Sequence, residues 1–191
     1  LQVRIVGIDS QNPFVKIVTC IGDTWTMWNA ERMTLLFVGP VLSDGISAMA
    51  HATSPDSLLV AAGSSVYRYV RGQEVAKYDT KVPNEGIEGD VLSSMLVFGD
   101  YVCSLAAHGS TMYIWSLLTT ELLQAIGLPS SSQASCFVHP ATYLNKVVLG
   151  MTDGSLQLWN VRTASLIHTF DALDVRGGKK SMNMTGVVHM S

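Results

Sequence analysis

The sequence predicts an all-β protein made of one antiparallel unit repeated along the chain, and three observations predict it. Short apolar runs rich in β-branched and aromatic residues are broken by Gly-containing turns, which excludes the spacing of helices. An aromatic residue closes a strand in each of four segments, at Trp28, Tyr69, Trp115 and Trp159, with intervals of 41, 46 and 44 residues. These intervals bracket the ~40–45-residue period of repeats that fold as four-stranded blades. Asp153-Gly154, flanked by apolar strands, is the dipeptide that a tight hairpin demands. The fold class that follows is a WD-repeat β-propeller, with about four blades and the first strand of a fifth, forming part of a larger ring.

The blades read in order as residues 3–38, 46–79, 91–127 and 134–170, with a fifth beginning at 182–191. In the first, the run 16–28 ends on Trp28 and the chain continues through Glu31-Arg32 into 33–38. The second runs through 58–69 to Tyr69, then turns at Gly72-Gln73. The third holds 101–115 and turns at Thr119-Thr120, and the fourth holds 146–159 and turns at Thr163-Ala164. A further strand precedes each unit: 3–8, 46–51, 91–97 and 134–139. Along 156–161 the pleat sends Leu156 and Leu158 to one face and Gln157 and Trp159 to the other. Both faces carry large groups, as they must when neighbouring blades cover both. Trp25, out of phase with Trp28, is expected to be the exposed tryptophan.

Composition bounds function more than it defines it. Hydrophobic residues make up 48% of the 191 residues and charged residues only 14%, well below the roughly 25% usual in soluble domains. Buried strand or partner-covered surface accounts for that deficit. The net charge of −3 argues against a free-standing nucleic-acid binder, which would carry a basic excess. Cys20, Cys103 and Cys136 lie far apart in apolar runs, without Cys-x-x-Cys spacing, so buried thiols in a reducing compartment are expected. No apolar run reaches the ~18 residues of a membrane span, so no membrane partner is expected. The start at Leu1 resembles no signal peptide and lacks Met, so the chain reads as a fragment.

No catalytic, cofactor or metal site is expected. His51, His139 and His189 fall at equivalent strand ends and read as architectural, while His108 and His168 have no second ligand at metal spacing. Gly-x-Ser-x-Gly and His-Glu-x-x-His are absent. Arg176-Gly177-Gly178-Lys179-Lys180-Ser181 lacks the Gly-Lys-Ser of a phosphate-binding loop. It reads as a basic surface loop whose Arg176, Lys179 and Lys180 are the candidate contacts for RNA phosphate or an acidic protein. Inter-blade loops 39–45, 81–90, 128–133 and 171–181 are the candidate partner-facing segments.

One stretch is more specific. Residues 139–150, with the run Tyr143-Leu144-Asn145-Lys146, followed by 153–161, resemble a eukaryotic WD-repeat family: the U-three protein twenty-one or WD-repeat protein thirty-six family, a subunit of the UtpB subcomplex of the small-subunit processome. Arg4-Ile-Val-Gly7, Pro13-Phe-Val15, Val18-Thr-Cys-Ile-Gly22 and Phe98-Gly-Asp-Tyr-Val102 extend the resemblance over residues 4 to 170. It implies the first blades of an N-terminal propeller in a nucleolar, non-catalytic scaffold for small-subunit rRNA maturation. The implied partners are other UtpB subunits and processome proteins, with pre-rRNA or the U-three small nucleolar RNA reached through the assembly. The alternatives are a peptide-reading or ubiquitin-ligase adaptor propeller and, third, a propeller enzyme. The Trp-Asp pair of such repeats is replaced by Trp28-Asn29, Trp115-Ser116 and Trp159-Asn160, which leaves the polar stitching inside the blades unspecified.

Overall fold

The computed structural model describes residues 2–6, 16–53, 56–80, 89–129, 131–141 and 143–172. Among them are sixteen strands in four antiparallel sheets of four, each ordered as in the chain. Sheet one contains β1 (Gln2–Val6), β2 (Lys16–Ile21), β3 (Thr24–Asn29) and β4 (Thr34–Val38). Sheet two contains β5 (Ile46–Thr53), β6 (Asp56–Ala62), β7 (Ser65–Val70) and β8 (Gln73–Asp79). β9 (Leu92–Phe98), β10 (Tyr101–Ala106), β11 (Thr111–Ser116) and β12 (Leu122–Gly127) form sheet three, and β13 (Ala134–Val138), β14 (Lys146–Met151), β15 (Leu156–Asn160) and β16 (Ser165–Phe170) form sheet four. The all-β propeller architecture holds. The fifth-blade residues 182–191 lie outside the described residues.

Burial follows from the pleat and from which neighbour each face meets. Trp115 faces back onto sheet two, meeting Tyr78 edge-on at 6.3 Å, and Trp159 joins the core shared with sheet three. Tyr69 faces sheet one and packs 5.0 Å from Trp25. Trp28 occupies the same position in sheet one, but no sheet precedes it among the described residues, and it stays half-buried. Trp25 corrects the sequence reading: it is fully buried. Period 2 puts it with Met27 on the face that sheet two covers, opposite Trp28. At the other end, Leu156 and Leu158 are half-buried for the same reason in reverse.

The polar stitching is present, made by other residues. The residue after each tryptophan caps the turn into the outer strand: the Asn29 Oδ1 accepts from the N–H of Glu31 and Arg32, both at 3.0 Å. Asn160 does the same for Arg162 and Thr163, and the Ser116 Oγ for Thr119. These are short side chains that mimic a turn of backbone. Sheet two has Val70 there and turns through Arg71-Gly72, both at positive φ (51° and 81°), a hairpin geometry that requires no cap. Three of the four indole N–H groups find hydroxyl, amide or carbonyl partners: Trp28 with Thr26 at 3.0 Å, Trp159 with Gln157 at 3.0 Å and Trp115 with the carbonyl of Asp79 at 3.2 Å.

Two further regularities order the blades. The first residue of each following inner strand donates to the glycine carbonyl in the preceding sheet's middle turn: Ile46 to Gly22 at 2.8 Å, Leu92 to Gly63 at 2.8 Å, Ala134 to Gly109 at 2.9 Å. At Gly109 a Cβ would collide with the Ala134 backbone, so close approach, as well as its φ of 62°, selects glycine there. Inner strands two to four also carry a bulged serine, Ser47, Ser93 and Ser135, at each register shift. Each hydroxyl donates to a carbonyl of the adjacent strand, at 3.3, 3.3 and 3.1 Å, which satisfies a group that the bulge frees.

Candidate docking surface

The face of the blades that carries the first and third turns of each sheet is grooved where neighbouring sheets diverge. Between sheets one and two, Lys16, His51 and Arg71 rim a groove of about 400 Å³ floored by Trp25 and Tyr69. Burial leaves the Trp25 Nε1 and the Tyr69 hydroxyl without a hydrogen-bond partner, and burial first, then the nearby Glu74 carboxylate, pushes the Tyr69 pKa up to about 12. Between sheets two and three a smaller groove of about 270 Å³ lies beside His51, Phe98, Asp100 and Leu117. Two donors from sheet two converge on its lining residue Leu117: Arg68 Nη1 and the Tyr78 hydroxyl both donate to the Leu117 carbonyl at 2.9 Å.

A larger groove, about 880 Å³, lies between sheets three and four. Gly99-Asp100, a two-residue turn, forms one wall, and the seven-residue connection between β13 and β14 forms the other. His139 anchors that connection: its ring stacks on Phe98 at 4.0 Å and 7°, and its Nδ1 donates to the Lys146 carbonyl at 2.9 Å. The architectural reading of His139 is thereby given a mechanism.

Tyr69, Trp115 and Trp159 lie in the apolar clusters between sheets, and Trp28 is half-buried on the face of sheet one that points away from sheet two. Arg176, Lys179 and Lys180 lie outside the described residues, as do most of loop 81–90 and all of 173–181. Cys20, Cys103 and Cys136 are buried thiols not joined in disulfides, and burial raises the pKa of the last two. Among the described residues no group of three His, Cys, Asp or Glu side chains is placed to hold a metal ion. No described helix is long and apolar enough to cross a membrane. What sequence reasoning missed is the presentation of Tyr143 and Leu144. Its signal was the length of the 139–145 connection beside a two-residue counterpart in the preceding sheet.

A profile described as the WDR36/Utp21 first beta-propeller matches residues 17–190. The chain belongs to the WDR36/Utp21 family. Curated relatives agree: it is 31% identical over 169 residues to the U3 small nucleolar RNA-associated protein 21 homolog of Schizosaccharomyces pombe, covering 85% of this chain and 18% of that protein. WD repeat-containing protein 36 of Homo sapiens is 30% identical over 156 residues, covering 81% and 16%. The U3 small nucleolar RNA-associated protein 21 of Saccharomyces cerevisiae is 26% identical over 178 residues, covering 80% and 16%. The chain thus spans less than a fifth of the length of these relatives. Among solved structures, the Cps50 (Swd1) β-propeller domain of Myceliophteria thermophila superposes with a TM-score of 0.70 at 15% identity, over 87% of this chain and 53% of that one. The C-terminal WD40 domain of Sif2 gives 0.67 at 13%, over 93% and 48%. These likenesses establish the fold.

Proposed function

We propose that this chain is part of the first propeller of a non-catalytic scaffold that acts in the nucleolus in pre-rRNA processing and small-ribosomal-subunit assembly. The observation that carries the reading is the family match over 17–190, joined to relatives whose names tie them to the U3 small nucleolar RNA. Its partners are other UtpB subunits and processome proteins, and it reaches pre-rRNA or U3 RNA through that assembly. Further sheets complete the ring against the half-covered Trp28 face of sheet one and the Leu156–Leu158 face of sheet four. Rigid sheets, grooves between them and low charge suit a part that is held and holds others.

The test is affinity purification of the tagged full-length protein. Co-purification of UtpB subunits with U3 RNA and pre-rRNA is the expected result. Recovery of a membrane complex or a ubiquitin ligase in their place would overturn the reading.

A further inference from the structure

We infer that the Tyr143-Leu144 loop and the groove beside it form a self-complementary surface whose occupant is a second copy of this chain, the loop of each copy seated in the groove of the other. The inference rests on this surface alone and stands whichever assembly holds the propeller.

Leu144 is 91% exposed and Tyr143 48% exposed, yet neither sits on a slack loop. The stacked His139 fixes one end. The Tyr143 N–H donates to the Pro140 carbonyl at 3.1 Å, and the Asn145 carbonyl accepts from the Val161 N–H at 2.9 Å. A tied loop that holds a leucine in water loses little further freedom when a partner covers it. The recess is the groove next to it, where Leu123, 42% exposed, and Tyr101 offer apolar surface from sheet three. Knob and recess therefore lie side by side on one face.

Charge divides along the same line. The sheet-three wall carries two carboxylates, Asp100 and Glu121. The sheet-four wall carries two cations, Arg162 and Lys146, whose ammonium lies 4.1 Å from the centre of the Tyr143 ring. The groove is thus neutral as a whole and polarised across its width. Among the described residues none of these four charges is in an ion pair, so the two walls do not pair within one copy. Neutral overall, the groove favours neither a polyanion nor a basic segment. What fits is a partner that sets a cationic, leucine-bearing ridge against the acidic wall and an acidic recess against the cationic one. This surface itself carries both. A two-fold axis running along the groove, between its walls, places each wall over the opposite wall of the other copy, and such pairing closes at two copies.

The test is sedimentation velocity of the full-length protein over a concentration series, at low and at high salt. Expected is a monomer–dimer equilibrium that stops at two copies and weakens as salt rises. Leu144→Ser should weaken it roughly ten- to hundredfold, the scale of one leucine's burial, with an unchanged melting temperature. Asp100→Lys with Glu121→Lys in one variant, and Arg162→Glu in another, should each weaken self-association. An equimolar mixture of the two should associate more tightly than either alone, because the intact cationic wall of the first then meets the intact acidic wall of the second. The inference is overturned by a protein that stays monomeric up to roughly 100 µM, which would leave the surface to a different protein. Dimerisation indifferent to Leu144→Ser overturns it as well. So does a mixture no tighter than the separate variants, or growth beyond two copies that Leu144→Ser abolishes.

Discussion

Arg68, on β7 of sheet two, reaches the backbone carbonyl of Leu117, just past β11 of sheet three, at 2.9 Å, and its Nε donates to the Ser57 hydroxyl at 3.0 Å. The side chain is 7% exposed, and among the described residues no carboxylate pairs with it. Among the described residues the acceptors of this buried cation are neutral, so no opposite charge there offsets its desolvation cost, which opposes the gain from its packing and hydrogen bonds.

Two substitutions separate these contributions. Arg68→Ala empties space between the sheets and should cost about 3 kcal/mol. Arg68→Met keeps most of the volume and relieves the buried charge, so it should cost no more than about 1 kcal/mol. Tyr78→Phe removes the second donor to Leu117 and should cost about 1 kcal/mol. Urea midpoints of the three variants check the order; equal losses for Ala and Met would refute it.

Alkaline pH should destabilise the fold in a defined window. Burial, aided by Glu74, raises Tyr69 to about 12. Burial, with the Asp90 carboxylate that accepts from its hydroxyl at 2.8 Å, does the same for Tyr113. Burial also raises Tyr78 and the Cys103 and Cys136 thiols. The unfolded chain loses these protons first, the thiols from about pH 9 and the phenols from about pH 10, so the folded state binds more protons and stability falls with rising pH. Neutral stability is untouched by this linkage. Tyr69→Phe should flatten the decline between pH 10 and 12. At pH 7 it should be neutral or stabilising, because the hydroxyl it removes is buried without a partner. Chemical denaturation at a series of pH values measures both effects.

The repeat was legible because propeller physics is periodic: strand alternation, Gly turns and the aromatic at Trp115 or Trp159 follow from covering two faces of every sheet. Trp25 was misread because its phase relative to Trp28 gives a face, and only the order of sheets says which face has a neighbour. Serine bulges at Ser47, Ser93 and Ser135 escaped notice because a single bulged serine has no sequence signature apart from its register. Leu144 escaped for another reason: a leucine in a loop reads as core until its exposure is known.

Gly39 and Trp25 should be strongly coupled. A Cβ on Gly39 would collide with Nε1, Cε2 and Cδ1 of the Trp25 indole, and the indole is fully buried and packed against Tyr69, so it can yield only by giving up that contact. Gly39→Ala should cost about 2–3 kcal/mol by overpacking, and Trp25→Leu about 3 kcal/mol by truncation. Combined, they should cost at least about 1 kcal/mol less than the sum, since the smaller side chain admits the new methyl. A double-mutant cycle by thermal or urea unfolding gives the coupling; strict additivity would place the Gly39 effect elsewhere.

The outer edge of sheet one should limit solubility. Each outer strand is bulged opposite the aromatic position, leaving Leu36, Val75, Leu123 and Ile167 unpaired, with exposures of 40%, 53%, 42% and 45%. Bulging blunts an edge, and β8 adds Lys77 and Asp79, which pair at 2.9 Å. β4 has no charge: Leu35 and Val38 are 49% and 57% exposed beside Leu36, and Met33 before them is 67% exposed. An uncharged, apolar edge is a template for another strand. Leu36→Lys places a charge at the bulge, outside the ladder, and should reduce self-association several-fold with a melting temperature within about 2 °C of the parent. Phe37→Lys, one residue on, should unfold the edge, because that ring is half-buried against Gly72. Light scattering and thermal melts of the two variants distinguish an edge effect from general loss of apolar surface: if both variants gain solubility alike, the edge is not the cause.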